Sequence, residues 1–323
     1  MDQPVKIKED VYWIGSLDPG LVVFDIVIPT KHGTTYNAYL VRGEKIAVIE
    51  TVKSYCVDDF ISKIRSLVRP EDIDYIIINH TEPDHSGGLI RLMELAPKAI
   101  PVFSRGARTF VKNILHKEFD YMEVKAGDSI DLGGKVLKFI SAPFLHWPDT
   151  MFTYLETDKI LFPCDAFGSH YCSDKRFNDE LDSKEDAFTA YEFYYDTILR
   201  PFKKHVIDAL DNIKDTDIEI IAPSHGPILR ENIKKYIDSY REWAGKTKKY
   251  PDKKKIVIIY VSSYGSTKRM AESIYRGACL PDADVSLLDA AEIDMDSLLD
   301  EIDAADGIIL GTPTLNAKAP KPI

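Results

Sequence analysis

The stretch DYIIINHTEPDHSGGL, residues 74 to 89, limits what this chain can become more than any other. The apolar run Tyr75 to Ile78 stops at Asn79, and the next six residues are His80, Thr81, Glu82, Pro83, Asp84 and His85. Four of those six can bind a metal. Pro83 and the Gly87-Gly88 pair suit a tight, fixed loop between a strand and a helix. Two imidazoles and two carboxylates this close together are costly to bury unless they are paired or hold a cation. The stretch therefore predicts a metal site at the end of a strand.

Further along, the same grammar recurs. LKFISAP leads to His146, KILFPC to Asp165 and IEIIAPS to His225, each just past the C-terminal end of an apolar run. In layered α/β architectures the loops at that end are where sites are assembled. Taken singly, each histidine also reads as a surface or hydrogen-bonded core residue, and Asp165 as an ordinary turn former; the joint pattern favours ligands. His32, His116 and His205 sit among polar or helical residues and read as structural or exposed. His170 reads either as a donor behind the ligands or as a loop residue.

The chain is 323 residues long, 45 % hydrophobic, with a net charge of −11 and a pI near 5.3. That balance excludes broad phosphate-backbone binding, so no nucleic-acid partner is expected. No run approaches about 20 apolar residues and the N-terminus lacks a signal-type core, so a cytoplasmic protein with no membrane span is expected. The cysteines Cys56, Cys164, Cys172 and Cys279 form no CxxC pair, which argues against a disulfide framework or a thiolate metal knuckle.

Residues 1 to about 140 alternate short apolar runs (VYWIG, LVVFDIVI, TTYNAYLV, KIAVIET) with turn signals. A helix is expected from Asp58 to Val68, and SIDLGGKVLKFISAP is expected to form a hairpin about Gly133-Gly134. Helical periodicity from Glu231 to Tyr250 runs into KTKKYPDKKK, which reads as a linker or as a docking patch for an acidic redox partner. The expected domains are residues 1–250 and 251–323. The second opens with the strand IVIIYV and the loop Ser262, Ser263, Tyr264, Gly265, Ser266 and Thr267. Hydroxyls and amides at a helix N-terminus suit a phosphate. A strand near Val285 to Leu288, a helix around Met295 to Ile302 and the strand GIILGT, leading to Thr312, Pro313, Thr314, Leu315 and Asn316, complete a βαβαβ pattern. Three strands where flavodoxin-like sheets have five predict a C-terminally incomplete sheet.

These residues resemble the flavodiiron proteins, or A-type flavoproteins. The resemblance implies an α+β chain: an αββα metallo-β-lactamase-like sandwich followed by a partial α/β flavodoxin-like parallel sheet. It implies that His80, Glu82 and His146 hold one iron, that Asp84, His85 and His225 hold the other, and that Asp165 bridges them. FMN would lie against Ser262–Thr267 and Thr312–Asn316, with Trp147, His170 and Tyr195 as residues lining or backing the site. The implied activity is reduction of O2 to water or of NO to N2O, with electrons from rubredoxin or reduced coenzyme F420. The implied assembly is a head-to-tail homodimer, in which the FMN of one subunit faces the diiron centre of the other. Hydrolases of the metallo-β-lactamase class resemble HxHxDH, whereas Glu82 stands at the middle position here. Four imidazoles and three carboxylates with no thiolate favour iron or manganese over zinc. The alternatives are a binuclear metallohydrolase and an oxygen-binding diiron sensor without turnover.

Overall fold

A computed structural model describes residues 3–116, 119–245, 253–314 and 318–319. The chain divides into two compact units, Met1–Gly245 and Lys246–Ile323.

In the first unit, period-two alternation sorts side chains to two faces of each strand. Ile77 joins a core between two sheets, while Ile76 and Ile78 join a core on the other face under helices. One sheet has seven strands in the order Val5–Lys8, Val11–Trp13, Tyr39–Arg42, Ile46–Ile49, Tyr75–Ile78, Ile100–Ser104 and Met122–Val124. It is antiparallel as far as Ile46–Ile49 and parallel beyond it. The second sheet runs Ser129–Asp131, Val136–Ser141, Met151–Leu155, Ile160–Phe162 and Ile220–Ile221. Trp13, Tyr39 and Ile77 from one sheet bury against Phe139, Leu155 and Phe162 from the other. Helices Val57–Leu67, Leu89–Leu95 and Arg108–Leu115 cover the outer face of the first sheet. Helices Lys184–Tyr194, Lys203–Asn212 and Ile233–Ala244 cover that of the second. The architecture is an αββα sandwich.

The second unit is a parallel three-stranded sheet among the described residues, in the order Ala283–Asp289, Lys254–Tyr260 and Gly307–Gly311. Helix Ser266–Ala278 packs on one face through Ala271, and helix Met295–Asp303 on the other through Leu298. The linker residues 246–252 lie outside the described residues.

Two apolar runs behave differently from expectation. LVVFDIVI is not a buried strand but a hairpin of two short strands, Val23–Phe24 and Ile28–Pro29. Asp25 and Ile26 take positive φ, 45° and 71°, and turn the run back on itself. Ile26 is 94 % exposed, while Phe24 alone among the apolar residues of the turn is buried. TTYNAYLV is likewise split, Thr34–Tyr36 pairing outside the main sheet and Tyr39–Arg42 within it, because the Asn37 amide turns aside to the Ser224 carbonyl at 2.8 Å.

Candidate metal centre

The site lies at the C-terminal end of the strands. After Ile78 the chain makes a single helical turn, Pro83–Ser86, with proline at its first position, where no N–H is needed. The turn is tied down by Thr51, whose hydroxyl and amide both donate to the His85 carbonyl, at 2.6 and 2.9 Å, and whose hydroxyl accepts from the Gly88 amide. Gly87 is required by close approach: a Cβ there would stand 2.7 Å from the Pro83 carbonyl oxygen and 2.7 Å from the Ser54 nitrogen. The loop is therefore fixed, and its His80, Asp84 and His85 are buried.

His146, Asp165 and His225 arrive from the second sheet, and two sets of donor atoms result. In the first, Glu82 Oε2 lies 3.1 Å from both His80 Nε2 and His146 Nε2, and Asp165 Oδ2 lies 3.6 and 3.7 Å from the same two nitrogens. In the second, Asp84 Oδ2 lies 3.1 Å from His225 Nε2, and Asp84 Oδ1 3.4 Å from His85 Nε2. Asp165 Oδ1 lies 3.4 and 3.1 Å from those two nitrogens. Asp165 thus presents one oxygen to each set.

The donor set fits a metal. Both Asp84 oxygens and His85 Nε2 are buried without an aligned hydrogen bond, although each has a neighbour at 3.1–3.4 Å. Buried polar atoms that crowd without bonding one another are arranged as ligands aimed at a common centre. His80, Glu82, His85 and Asp165 form one group able to hold an ion, and Asp84, His85 and His225 another. In the metal-free molecule His80 and His85 and the carboxylates around them stabilise each other's charged forms. Burial opposes protonation of His80, but hydrogen bonds to Asp149 and Glu82 push its pKa up to about 10. Burial likewise opposes ionisation of Glu82, yet His146 and His80 hold its carboxyl well below the usual range. A metal takes over the role of those protons.

Several supporting residues carry no signal in the sequence. Asp149, fully buried, accepts from the Thr81 amide and hydroxyl, at 2.8 and 2.7 Å, and faces His80 Nδ1 at 3.3 Å, which turns His80 Nε2 toward the ligand cluster. His225 Nδ1 donates to the Thr35 carbonyl at 2.6 Å, with the same effect. Tyr194 donates to Asp165 Oδ1 at 3.0 Å. The buried Glu50 accepts from the Asn79 amide at 2.6 Å and lies 3.9 Å from His85 Nδ1; burial pushes its pKa up to about 8. Asp25, at the hairpin apex, has its pKa raised first by burial and then by Glu82 and Asp84.

Of the anticipated surrounding residues, Trp147 meets the His80 ring edge-on, with centroids 5.0 Å apart. His170 touches the site from behind: its Nδ1 pairs with the Thr34 hydroxyl at 2.9 Å, and its ring lies 5.5 Å from that of His225. Burial pushes its pKa down to about 3, so it is neutral. Tyr195 is not at the site. It packs on Tyr240 and Trp243, and its neighbour Tyr194 reaches Asp165 instead.

In the second unit the Ser262–Gly265 loop leads into helix Ser266–Ala278, and the Ser262 hydroxyl is buried without a hydrogen-bond partner. An unsatisfied hydroxyl beside a helix N-terminus fits a phosphate group. Ser263 and Ser266 flank it, and Tyr264 is 94 % exposed. Thr312–Thr314 follows the adjacent strand, where a Cβ on Gly311 would lie 3.3 Å from Thr267, so the two loops share the C-terminal end of the sheet. Leu315 and Asn316 lie outside the described residues.

A carboxylate shared between two histidine-carboxylate sets, on an αββα sandwich joined to a doubly wound sheet, defines a binuclear metalloprotein with a flavodoxin-like module. The comparisons agree. A family profile described as ODP family beta lactamase matches residues 34–226, and one described as Flavodoxin matches 258–321. The flavo-diiron protein FprA2 of Clostridium acetobutylicum is 43 % identical, the match covering 99 % of this chain and 81 % of the relative. A nitric oxide reductase of Moorella thermoacetica is 37 % identical over 98 % of this chain and 79 % of its own. The solved rubredoxin oxygen:oxidoreductase of Desulfovibrio gigas superposes with a TM-score of 0.77 at 29 % identity, covering 99 % of this chain and 80 % of that one. The chain belongs to the flavodiiron protein family, whose members are oxidoreductases carrying a non-haem diiron centre and FMN.

Among the described residues, no helix is long and apolar enough to cross a membrane.

Proposed function

We propose that this protein reduces a small diatomic oxidant, O2 to water or NO to N2O, at two irons. His80, Glu82 and His146 would hold one, Asp84, His85 and His225 the other, and Asp165 would bridge them. The observation that carries the reading is Asp165, with one oxygen within 3.7 Å of two imidazoles in each set. Relatives named as a nitric oxide reductase and as a rubredoxin oxygen:oxidoreductase support both substrates and rubredoxin as a donor, with reduced coenzyme F420 as the alternative donor. The iron domain would span residues 1–250 and the flavin domain 251–323, in a homodimer.

When bound, the irons supply substrate binding and electron transfer, and FMN supplies the electrons. The chain holds these groups in place and limits access. Glu82 and His146 are the more open ligands, their side chains 14 % and 21 % exposed against 4 % or less for the other five, so small molecules reach the centre on their side. Asp25 stands beside Glu82 at that mouth, its pKa raised first by partial burial and then by the Glu82 and Asp84 carboxylates. Tyr194 keeps its hydroxyl proton directed at Asp165 Oδ1, fixing the orientation of the shared carboxylate. In the second unit, Ser262 to Thr267 would bind the FMN phosphate, and Thr312 to Asn316 would border the ring.

Anaerobic purification followed by metal and flavin analysis, with O2 and NO consumption measured under reduced rubredoxin, tests the proposal. Two irons per chain and turnover of either gas are expected. Zinc in place of iron, or iron with no turnover of either gas, overturns it. His80→Ala and Asp165→Ala are each expected to lose iron and activity together; a variant keeping both would refute the ligand assignment.

A further inference from the structure

We infer that Asn37 is the positioning residue that decides whether His225 can serve as a ligand, acting on it from the first sheet through the loop Pro223–Gly226. The inference rests on the ligand set proposed above. His225 stands in a loop after a strand of only two residues, Ile220–Ile221, so sheet pairing alone holds it weakly. Asn37, 2 % exposed, grips the loop on both sides of the histidine. Its Nδ2 donates to the Pro223 carbonyl at 2.8 Å and to the Gly226 carbonyl at 2.9 Å, and its backbone amide donates to the Ser224 carbonyl at 2.8 Å.

The orientation of that side chain is fixed by chemistry. Its Oδ1 accepts from Trp13 Nε1 at 2.8 Å, and an indole N–H can only donate. The amide nitrogen must then face the two carbonyls, which can only accept. Trp13 is in turn fully buried, with the Lys63 ammonium 5.0 Å and the Arg176 guanidinium 4.5 Å from its ring centroid. Thr35, two residues before Asn37, completes the clamp by accepting His225 Nδ1–H at its carbonyl and the Gly226 amide at its hydroxyl, at 2.6 and 2.7 Å. The result is one tautomer, with Nε2 facing Asp84 and Asp165. The three ligands that belong to the first set alone stand apart from this clamp: His80 is oriented by Asp149, and Glu82 and His146 approach from other loops, while of that set only the shared Asp165 meets His225.

Asn37→Asp separates the roles cleanly, since it keeps the acceptor for Trp13 but sets a carboxylate oxygen against two carbonyls. Trp13→Phe keeps the ring but lets the Asn37 amide rotate, a milder version of the same fault. The expected result is that Asn37→Asp weakens one of the two irons by on the order of 10–100-fold, as outer partners of metal ligands do, and leaves the other in place, with Trp13→Phe following in the same direction. Iron titration with Mössbauer spectra resolves the two sites. Wild-type affinity at both sites in both variants overturns the inference, and so does equal weakening of both irons. If Asn37→Asp does not fold, Trp13→Phe decides by the same criterion. Nitrogen-15 imidazole spectra of the metal-free protein test the clamp separately. His225 should hold its proton on Nδ1 in the wild type and lose that preference in the variants; retention there counts against Asn37. Should the wild type bind no iron at all, the ligand assignment fails while this spectrum still judges Asn37.

Discussion

Asp149 shows how much of the centre is set by residues that touch no metal. Its carboxylate satisfies the Thr81 amide and hydroxyl and still faces His80 Nδ1. Asp149→Asn keeps the shape but can present an N–H to a nitrogen that must donate. We expect it to lower iron affinity by about 10–100-fold, read by competition with a chelator; unchanged affinity would mean that the surrounding packing alone orients His80. The seven side chains proposed as ligands were legible as candidates in the sequence because metal-binding side chains cluster at strand ends, and four of the seven fall within six residues of one another. Asp149, Glu50 and Thr35 were not, since each acts across a contact between segments remote in the chain. Nothing in the sequence separates Tyr194 from Tyr195: successive helical residues point about 100° apart, so in the fold Tyr194 donates to Asp165 while its neighbour packs on Tyr240.

At the level of elements, the site depends on short segments locked by tertiary contacts. Gly226 takes φ +79°, and a Cβ there would come within 2.2 Å of Ser169 Oγ. Gly226→Ala should destabilise the first unit by roughly 1–3 kcal/mol through the backbone conformation alone and displace His225, so thermal stability and iron content should fall together. A variant of normal stability and full iron content would show that the loop relaxes freely. By contrast Ser183, which caps helix Lys184–Tyr194 by accepting from the Asp186 amide at 3.2 Å, is remote from the ligands. Ser183→Ala should cost about 1 kcal/mol in chemical denaturation and leave iron content untouched. The bounds of helices Val57–Leu67 and Met295–Asp303 were readable from periodicity to within a residue. The hairpin at Phe24 was not, because its turn relies on positive φ at Asp25 and also at Ile26, a β-branched residue that rarely adopts it.

For the whole molecule, the ligand cluster links metal, proton and stability. In the metal-free protein His80 has its pKa raised from 6.5 to about 10, chiefly against burial, by Asp149 and Glu82. A raised pKa stabilises the fold fully below the unfolded value, and that contribution disappears as pH climbs from about 6.5 to 10. Glu82, Asp84 and Asp165 have depressed values, so their contribution holds above about 4.5 and fades only in acid. Without metal the cluster therefore supports the first unit best between about pH 4.5 and 6.5. Metal reverses the upper limb: it binds deprotonated ligands, so its affinity, and the stability it confers on the folded state, grow as pH rises. The three tryptophans, Trp13, Trp147 and Trp243, all lie in the first unit, so their fluorescence reports its unfolding alone. Thermal scans of the iron-loaded and chelated protein should show a gap in midpoint that is small near pH 5.5 and wide near pH 9. A gap of equal size at both values would mean that His80 is neutral in the metal-free fold, and that packing, rather than exchange of protons for metal, holds the cluster together.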